Sequence, residues 1–275
     1  MPVYKTKEEY LRTAIESVLQ QTESDFEFLI LDDCPENDRE AVVKSYNDPR
    51  IVYLKNDKNL GISTSRNKLL DMAKGKYIAV FDHDDICLPT RFEKQKNYLD
   101  THPEVGVVSS YYERFPRLKT KKRPQENTQI ENYMMQGCAV LHPAAMIRAS
   151  VLKENGIRYE AEFSPSEDYA LFCRLIGKTR FYNIPQVLYR YRDHDENTSK
   201  LQKRKMISAT QKIQDFVRRE HPDIVSRSEK DAVYSFRFFL FGILPIAYIK
   251  KRGAAYPFGL DKCSFLRIKR RMEII

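Results

Sequence analysis

The chain has 275 residues, 42% hydrophobic and 31% charged, which is enough apolar material for a sizeable core and not the make-up of a disordered chain. Its five cysteines (Cys34, Cys87, Cys138, Cys173, Cys263) form no CxxC pair and no even set, which argues against a disulfide scaffold or a zinc site and for reduced thiols in a cytosolic protein. The net charge of +9 is uneven: residues 200–275 hold 18 Lys/Arg against 7 Asp/Glu, while residues 1–199 hold 29 against 31, so the basicity lies outside the body and does not indicate a nucleic-acid binder.

The opening "MPVYKTKEEY" carries no apolar stretch of the kind a secretory signal needs. Tyr10, Leu11, Ala14, Ile15, Val18 and Leu19 recur at helical spacing and predict an amphipathic helix over residues 7–21. "FEFLILDD" (26–33) and "RIVYLKN" (50–56) are short apolar runs that predict strands, the first ending in two carboxylates. A helix is expected over residues 62–75, stopping at Gly75, then a strand in "KYIAVFDHDD" (76–85) and a helix over residues 91–103. Strands alternating with helices of this length predict an α/β fold with a mostly parallel sheet flanked by helices.

The second half differs in texture. "VGVVSSYYERF" (105–115) predicts a strand, and the charged residues 116–132 a loop. "CAVLHPAAMIRASVLKENG" (138–156) predicts a strand, a turn at Pro143 and a helix ending at Gly156. "SPSEDYALFCRLIGK" (164–178) predicts a helix capped by Ser166, with Glu167 and Asp168 in its first turn. A strand and a polar loop follow in "RFYNIPQVLYRYRDHDENTSK".

Two strands thus end in acids, Asp32/Asp33 and Asp82/Asp84/Asp85, and in open α/β sheets ligands bind outside those ends. Three aspartates within four positions repel one another unless cations sit among them or they splay into water. Their placement favours a metal site over an acidic turn.

With the pieces in this order, the sequence resembles the family-two glycosyltransferases of the GT-A fold. The segments that carry the resemblance are "PVY", "AIESVLQQTESDFEFLILDD", "NLGISTSRNKLLDMAKGKYIAVFDHDD", "HPAAMIR", "SEDYALFCRL" and "YRYRDHDENTS", spread over residues 2–199. The resemblance implies an inverting, hexosyltransferase-type transfer of one sugar from a UDP-sugar to a hydroxyl of a glycan or lipid-linked acceptor, with Mn²⁺ or Mg²⁺. It implies a catalytic domain over residues 1–199, its nucleotide-binding half near 1–100 and its acceptor half near 101–199; the basic residues 200–275 lie outside the resemblance and are expected as a helical extension.

Residue roles come with it. Asp33 corresponds to the carboxylate that accepts from uracil N3–H, and Pro2, Val3 and Tyr4 to the wall of the base pocket. Arg66 corresponds to an arginine near the base and phosphates. Asp82 and Asp84 are the DxD pair around His83, with Asp84 as metal ligand and Asp82 toward the ribose or a metal-bound water. Asp85 is either a supporting carboxylate or the cap of the next turn. Asp168 corresponds to the general base, with Glu167 beside it. His194 is a candidate further metal ligand or phosphate contact, and His142 is expected near the acceptor.

Members of the family normally carry apolar strand residues before "PVY", so either translation starts upstream of Met1 or another segment fills that place. The chain has no tryptophan, hence no Gln-x-x-Arg-Trp motif, which points away from processive synthesis. A sugar nucleotidyltransferase would need a Gly-rich loop after the first strand, and "PVYKTKEEYL" has no glycine. A non-catalytic membrane- or nucleic-acid-binding module would rest on the tail alone. There the apolar run 238–249 is too short to span a bilayer and precedes Lys250, Lys251 and Arg252. It is expected either to pack as core or to attach the enzyme peripherally to an anionic surface, at the inner face of the plasma membrane.

Overall fold

The computed structural model describes residues 1–230, 237–240 and 244–248. The chain divides into two compact units, Met1–Glu220 and His221–Ile275.

In the first unit, β1 (Pro2–Val3), β2 (Phe28–Asp32) and β3 (Ile51–Lys55) form a parallel three-stranded sheet in that order. All five residues of β2 are buried, so its unbroken apolar run is that of a strand covered on both faces. Between β1 and β2, α1 (Glu8–Leu19) turns Leu11, Ala14, Ile15 and Val18 inward at helical spacing. Each large aliphatic side chain among them contributes roughly 1.5–3 kcal/mol by leaving water. The short α2 (Glu40–Lys44) precedes β3, and α3 (Ile62–Met72) follows it.

The second sheet takes β4 (Tyr77–Ala79), β5 (Ile86–Cys87), β6 (Val105–Phe115), β7 (Lys119–Lys121), β8 (Met146–Arg148) and β9 (Arg180–Arg192) in the order β4-β8-β6-β9-β5, with β7 on β6. Here only β6 and β9 run parallel; the pairs β4–β8, β6–β8, β5–β9 and β6–β7 are antiparallel. The sheet is therefore mixed rather than mostly parallel. Hydrophobic patterning marks which face a strand buries and says nothing of its direction, so this was not legible from the pattern.

Helices α4 (Arg91–Thr101), α5 (Asn127–Met134), α6 (Ala149–Glu154) and α7 (Glu167–Leu175) complete the body. The charged stretch 116–132, expected as a loop, holds β7 and the start of α5, whose first turn is closed by Glu126 and Gln129 acting as a capping box. Residues 138–141, expected as a strand, are irregular, and the strand comes after the turn, as β8.

Arg91, fully buried, donates to Val80 O (2.8 Å) and Ala145 O (2.9 Å) and to Gln95 Oε1 (3.0 Å). It thereby satisfies carbonyls of the segments that follow β4 and precede β8, and fixes the backbone just before the three aspartates.

Helices α8 (Thr198–Leu201) and α9 (Lys203–Glu220) belong to the first unit, so the body extends past the point where the sequence changes in charge. In the second unit α10 (Pro222–Lys230) is followed by β10 (Arg237–Leu240) and β11 (Leu244–Tyr248), an antiparallel pair. The apolar run is thus extended where it is described, not helical. Cys263 and the cations Lys250, Lys251, Arg252, Arg270 and Arg271 lie outside the described residues. No helix among the described residues is long and apolar enough to cross a membrane.

Candidate active site

The three aspartates that follow β4 have three different neighbours, which is how they tolerate one another. Asp82 pairs with Arg66 (3.3 Å). Asp84 meets the Nε2 of His194 (2.8 Å). Asp85 is buried and accepts from the Tyr189 hydroxyl (2.8 Å) and the Arg192 amide (2.6 Å). Burial, with Asp84 and Asp82 close by, pushes the Asp85 carboxyl well above the usual carboxylate range.

Asp85 therefore supports rather than caps. It ties the aspartate turn to the end of β9, and Arg192 returns the tie by donating from Nε to Asp84 O (2.6 Å). Arg192 also lies over the Tyr10 ring, 4.3 Å from its centroid. His194 is then oriented by Asn197, which accepts from its amide (2.7 Å) and donates to Arg192 O (3.2 Å). We expect Asp85→Ala to leave two buried donors without an acceptor, at ~1–3 kcal/mol each. Urea denaturation should show a loss of roughly 2–6 kcal/mol; a loss near zero would mean that the turn is held by other contacts.

Arg66 carries the second junction. Its guanidinium bridges Asp82 to Glu167 (2.6 Å) and sits 5.4 Å from the Tyr159 ring centroid. Two residues 101 apart in sequence are thereby joined, and the first turn of α7 is brought to the aspartate turn. Glu167 is buried and committed to Arg66. Asp168, partly exposed, accepts only from its neighbour's amide, Tyr169 N (2.8 Å), among the described residues. Desolvation, reinforced by Glu167, lifts the Asp168 carboxyl to about 6, against the opposing pull of Arg66.

Ser166 occupies the cap position of α7, but its Oγ finds no partner among the described residues, so the expected side-chain cap is not made. His142 is not open to an acceptor. It is buried, its Nε2 meets the Tyr159 hydroxyl (2.8 Å), and burial together with the charges of Arg66 and Arg91 holds its pKa well below the ordinary histidine value.

At the other end of the site, Asp33 N donates to Val3 O (2.8 Å), which brings Pro2, Val3 and Tyr4 beside the carboxylate. Pro2 and Val3 are buried, while Tyr4 is 42% exposed with Lys5 Nζ 5.2 Å from its ring centroid. Asp33 accepts from Asn56 Nδ2 (2.8 Å), Leu60 N (2.8 Å) and Gly61 N (2.9 Å). A carboxylate has about four lone-pair directions, so one on Oδ2 is left for an incoming N–H. Gly61 has φ +80°, the left-handed region that favours glycine, and this turns its amide onto Asp33 as α3 begins. Asn56, which also receives Lys68 Nζ (2.8 Å), was not singled out from the sequence; the one signal was a polar residue closing β3.

A carboxylate oxygen of Asp84 and the Nε2 of His194 converge, 2.8 Å from each other, and both are donor types that a divalent cation takes. Among the described residues no three His, Cys, Asp or Glu side chains form a cage. Two protein ligands are the ordinary complement where a nucleotide's phosphates and waters supply the rest.

Residues 1–156 match the family described as Glycosyl transferase family 2. The chain belongs to this family. It is a glycosyltransferase, and it is 34% identical over 219 residues to the uncharacterized glycosyltransferase MJ1057 of Methanocaldococcus jannaschii, covering 76% of this chain and 75% of that one. It is 29% identical over 183 residues to the Escherichia coli UDP-Glc:alpha-D-GlcNAc-diphosphoundecaprenol beta-1,3-glucosyltransferase WfaP, covering 64% of this chain and 70% of that one. The fold is similar to that of Staphylococcus aureus TarS 1–349 in complex with UDP-GlcNAc, with a TM-score of 0.62 at 18% identity over 70% of this chain. This family-2 chain spans 57% of the TarS chain.

Proposed function

We propose that this glycosyltransferase moves one hexosyl unit from a UDP-sugar to a hydroxyl of a glycan or lipid-linked acceptor, with inversion and with Mn²⁺ or Mg²⁺. The observation that carries the reading is the division between two neighbouring acids. Glu167 holds Arg66 through Oε1, whereas Asp168 has no side-chain partner among the described residues and its carboxyl is lifted to about 6. A carboxylate with that pKa is mostly ionised at neutral pH and takes a proton more readily than an ordinary aspartate.

The steps assigned to this chain's residues are binding, orientation and one proton transfer. Asp33 accepts from the base's N3–H through its remaining lone pair, and Tyr4 covers the ring. Arg66, shared between Asp82 and Glu167, keeps the aspartate turn and α7 in register across the sugar. The acceptor oxygen bonds to the anomeric carbon on the face opposite the nucleotide as the carbon–oxygen bond to UDP breaks, and Asp168 takes the acceptor's proton. A cation held by Asp84 and His194 would neutralise charge on the departing diphosphate.

Support for UDP comes from the donor named for WfaP and from the nucleotide sugar bound by TarS. WfaP's named acceptor is a lipid diphosphate, which fits work at a membrane surface, here the inner face of the plasma membrane. A screen of nucleotide release from UDP-, GDP- and dTDP-sugars with Mn²⁺ tests the assignment. UDP should be released from at least one sugar donor. Preference for GDP would overturn the base assignment, preference for dTDP would keep the Asp33 contact but overturn UDP as the donor nucleotide, and no release from any donor would overturn the transferase reading.

A further inference from the structure

The two most exposed large apolar side chains among the described residues are Leu201 (70%) and Ile207 (59%). They lie six positions apart on α8 and α9. The stretch between Asn197 and Gln214 contains Lys200, Lys203, Arg204, Lys205 and Lys212 and no acid.

The inner side of α9 accounts for its fixed position. Ala209, Ile213 and Val217 are buried, and Phe216 lies under the Arg174 guanidinium, 4.0 Å from it. Among the described residues, the outer side is left open to solvent. Lys203, Arg204, Lys205 and Lys212 are exposed and form no ion pair with described residues. Lys200 does: it binds Asp193 (2.9 Å) and Asp195 (3.3 Å), which joins this surface to the loop that carries His194.

We propose that the outer surface of α8 and the first turns of α9, with Leu201 and Ile207 among Lys203, Arg204 and Lys205, docks on an anionic lipid surface beside the donor loop. The inference rests on the lipid-linked acceptor reading and names the surface through which it works. Charge complementarity sets the sign of the partner. The two apolar side chains select a bilayer over a nucleic acid, since burial among acyl chains rewards them and a phosphate backbone does not. Such a contact lies in unit one, whereas the cations at 250–252 and 270–271 belong to unit two.

The test is co-sedimentation of the full chain with phosphatidylglycerol and with phosphatidylcholine vesicles. Binding to the anionic vesicles, released by high salt, is expected. Each basic residue at such a surface multiplies partitioning about fivefold, so Lys203→Gln/Arg204→Gln/Lys205→Gln should weaken it on the order of 10²-fold. Leu201→Glu/Ile207→Glu should weaken it comparably. These positions are solvent-exposed, so hydrolysis of a soluble donor and thermal stability should be unchanged in both variants. A third variant, Lys250, Lys251, Arg252, Arg270 and Arg271 all to Gln, separates the alternatives. If it alone loses vesicle binding while the α8–α9 variants bind like the parent, the proposal is overturned and the transferase reading stands. Equal binding to both vesicle types, no binding to either, or tighter binding to duplex DNA that ignores the Leu201 and Ile207 changes also overturns it. Loss of donor hydrolysis in the parent would instead strike the proposed function.

Discussion

Asp168→Asn is expected to bind donor normally and to lose turnover by at least ~10², the low end of what a positioned general base contributes. The substitution keeps the shape of the side chain and the acceptor for the Tyr169 amide, so α7 has no reason to move. What disappears is the only atom at this position that can hold a proton from the acceptor. A 10²-fold loss corresponds to ~2.7 kcal/mol of transition-state stabilisation.

The pH dependence follows from the same residue with the sign set by its chemistry. A base must be ionised, so activity of the parent should rise with pH through about 6, where Asp168 loses its proton. Steady-state rates across pH check both parts. Turnover within a few-fold of the parent, with the acidic limb intact, would move the base elsewhere; Glu167 is the next candidate, though its bond to Arg66 stands against it.

Asp84→Ala is expected to abolish transfer. Asp84 is the one carboxylate of the turn that faces an imidazole rather than a guanidinium or a buried hydroxyl. Its loss would remove the oxygen donor of the pair, leaving His194 alone, and a single imidazole does not hold Mn²⁺ or Mg²⁺ against water. The backbone of the turn should survive, because Arg192 binds the carbonyl of residue 84 and Asp85 holds Tyr189 and the Arg192 amide. Rates measured across Mn²⁺ concentration should show no activation in the variant. Activation like the parent's would remove Asp84 from the metal site.

How much of this was legible in the sequence depends on the range of the interaction. The strand over residues 105–115 was read to its ends, and α1 within a residue or two, because local periodicity reports which side chains are buried. Helix α5 was missed in a charged stretch, where only Ile130, Glu131 and Met134 are buried and Glu126 with Gln129 closing its first turn was the one sequence signal. The acids at the strand ends and the Glu167–Asp168 pair stood out through spacing and resemblance.

What they touch did not. That Arg66 bridges Asp82 and Glu167, that Arg91 lies wholly buried behind the turn, and that Asp85 grips the end of β9 are products of tertiary packing between segments far apart in the chain. His142 shows the reverse case. The resemblance placed it at a turn facing the acceptor, but it is buried against Tyr159 and Phe172.

The most direct measurement is calorimetric titration of UDP into the parent and Asp84→Ala proteins, each with and without Mn²⁺. A cation linking Asp84 and His194 to the diphosphate should tighten UDP binding to the parent roughly tenfold or more, the worth of one charge-assisted contact, and leave the variant unaffected. Equal UDP affinity in all four titrations, or the same Mn²⁺ effect in both proteins, would contradict the account.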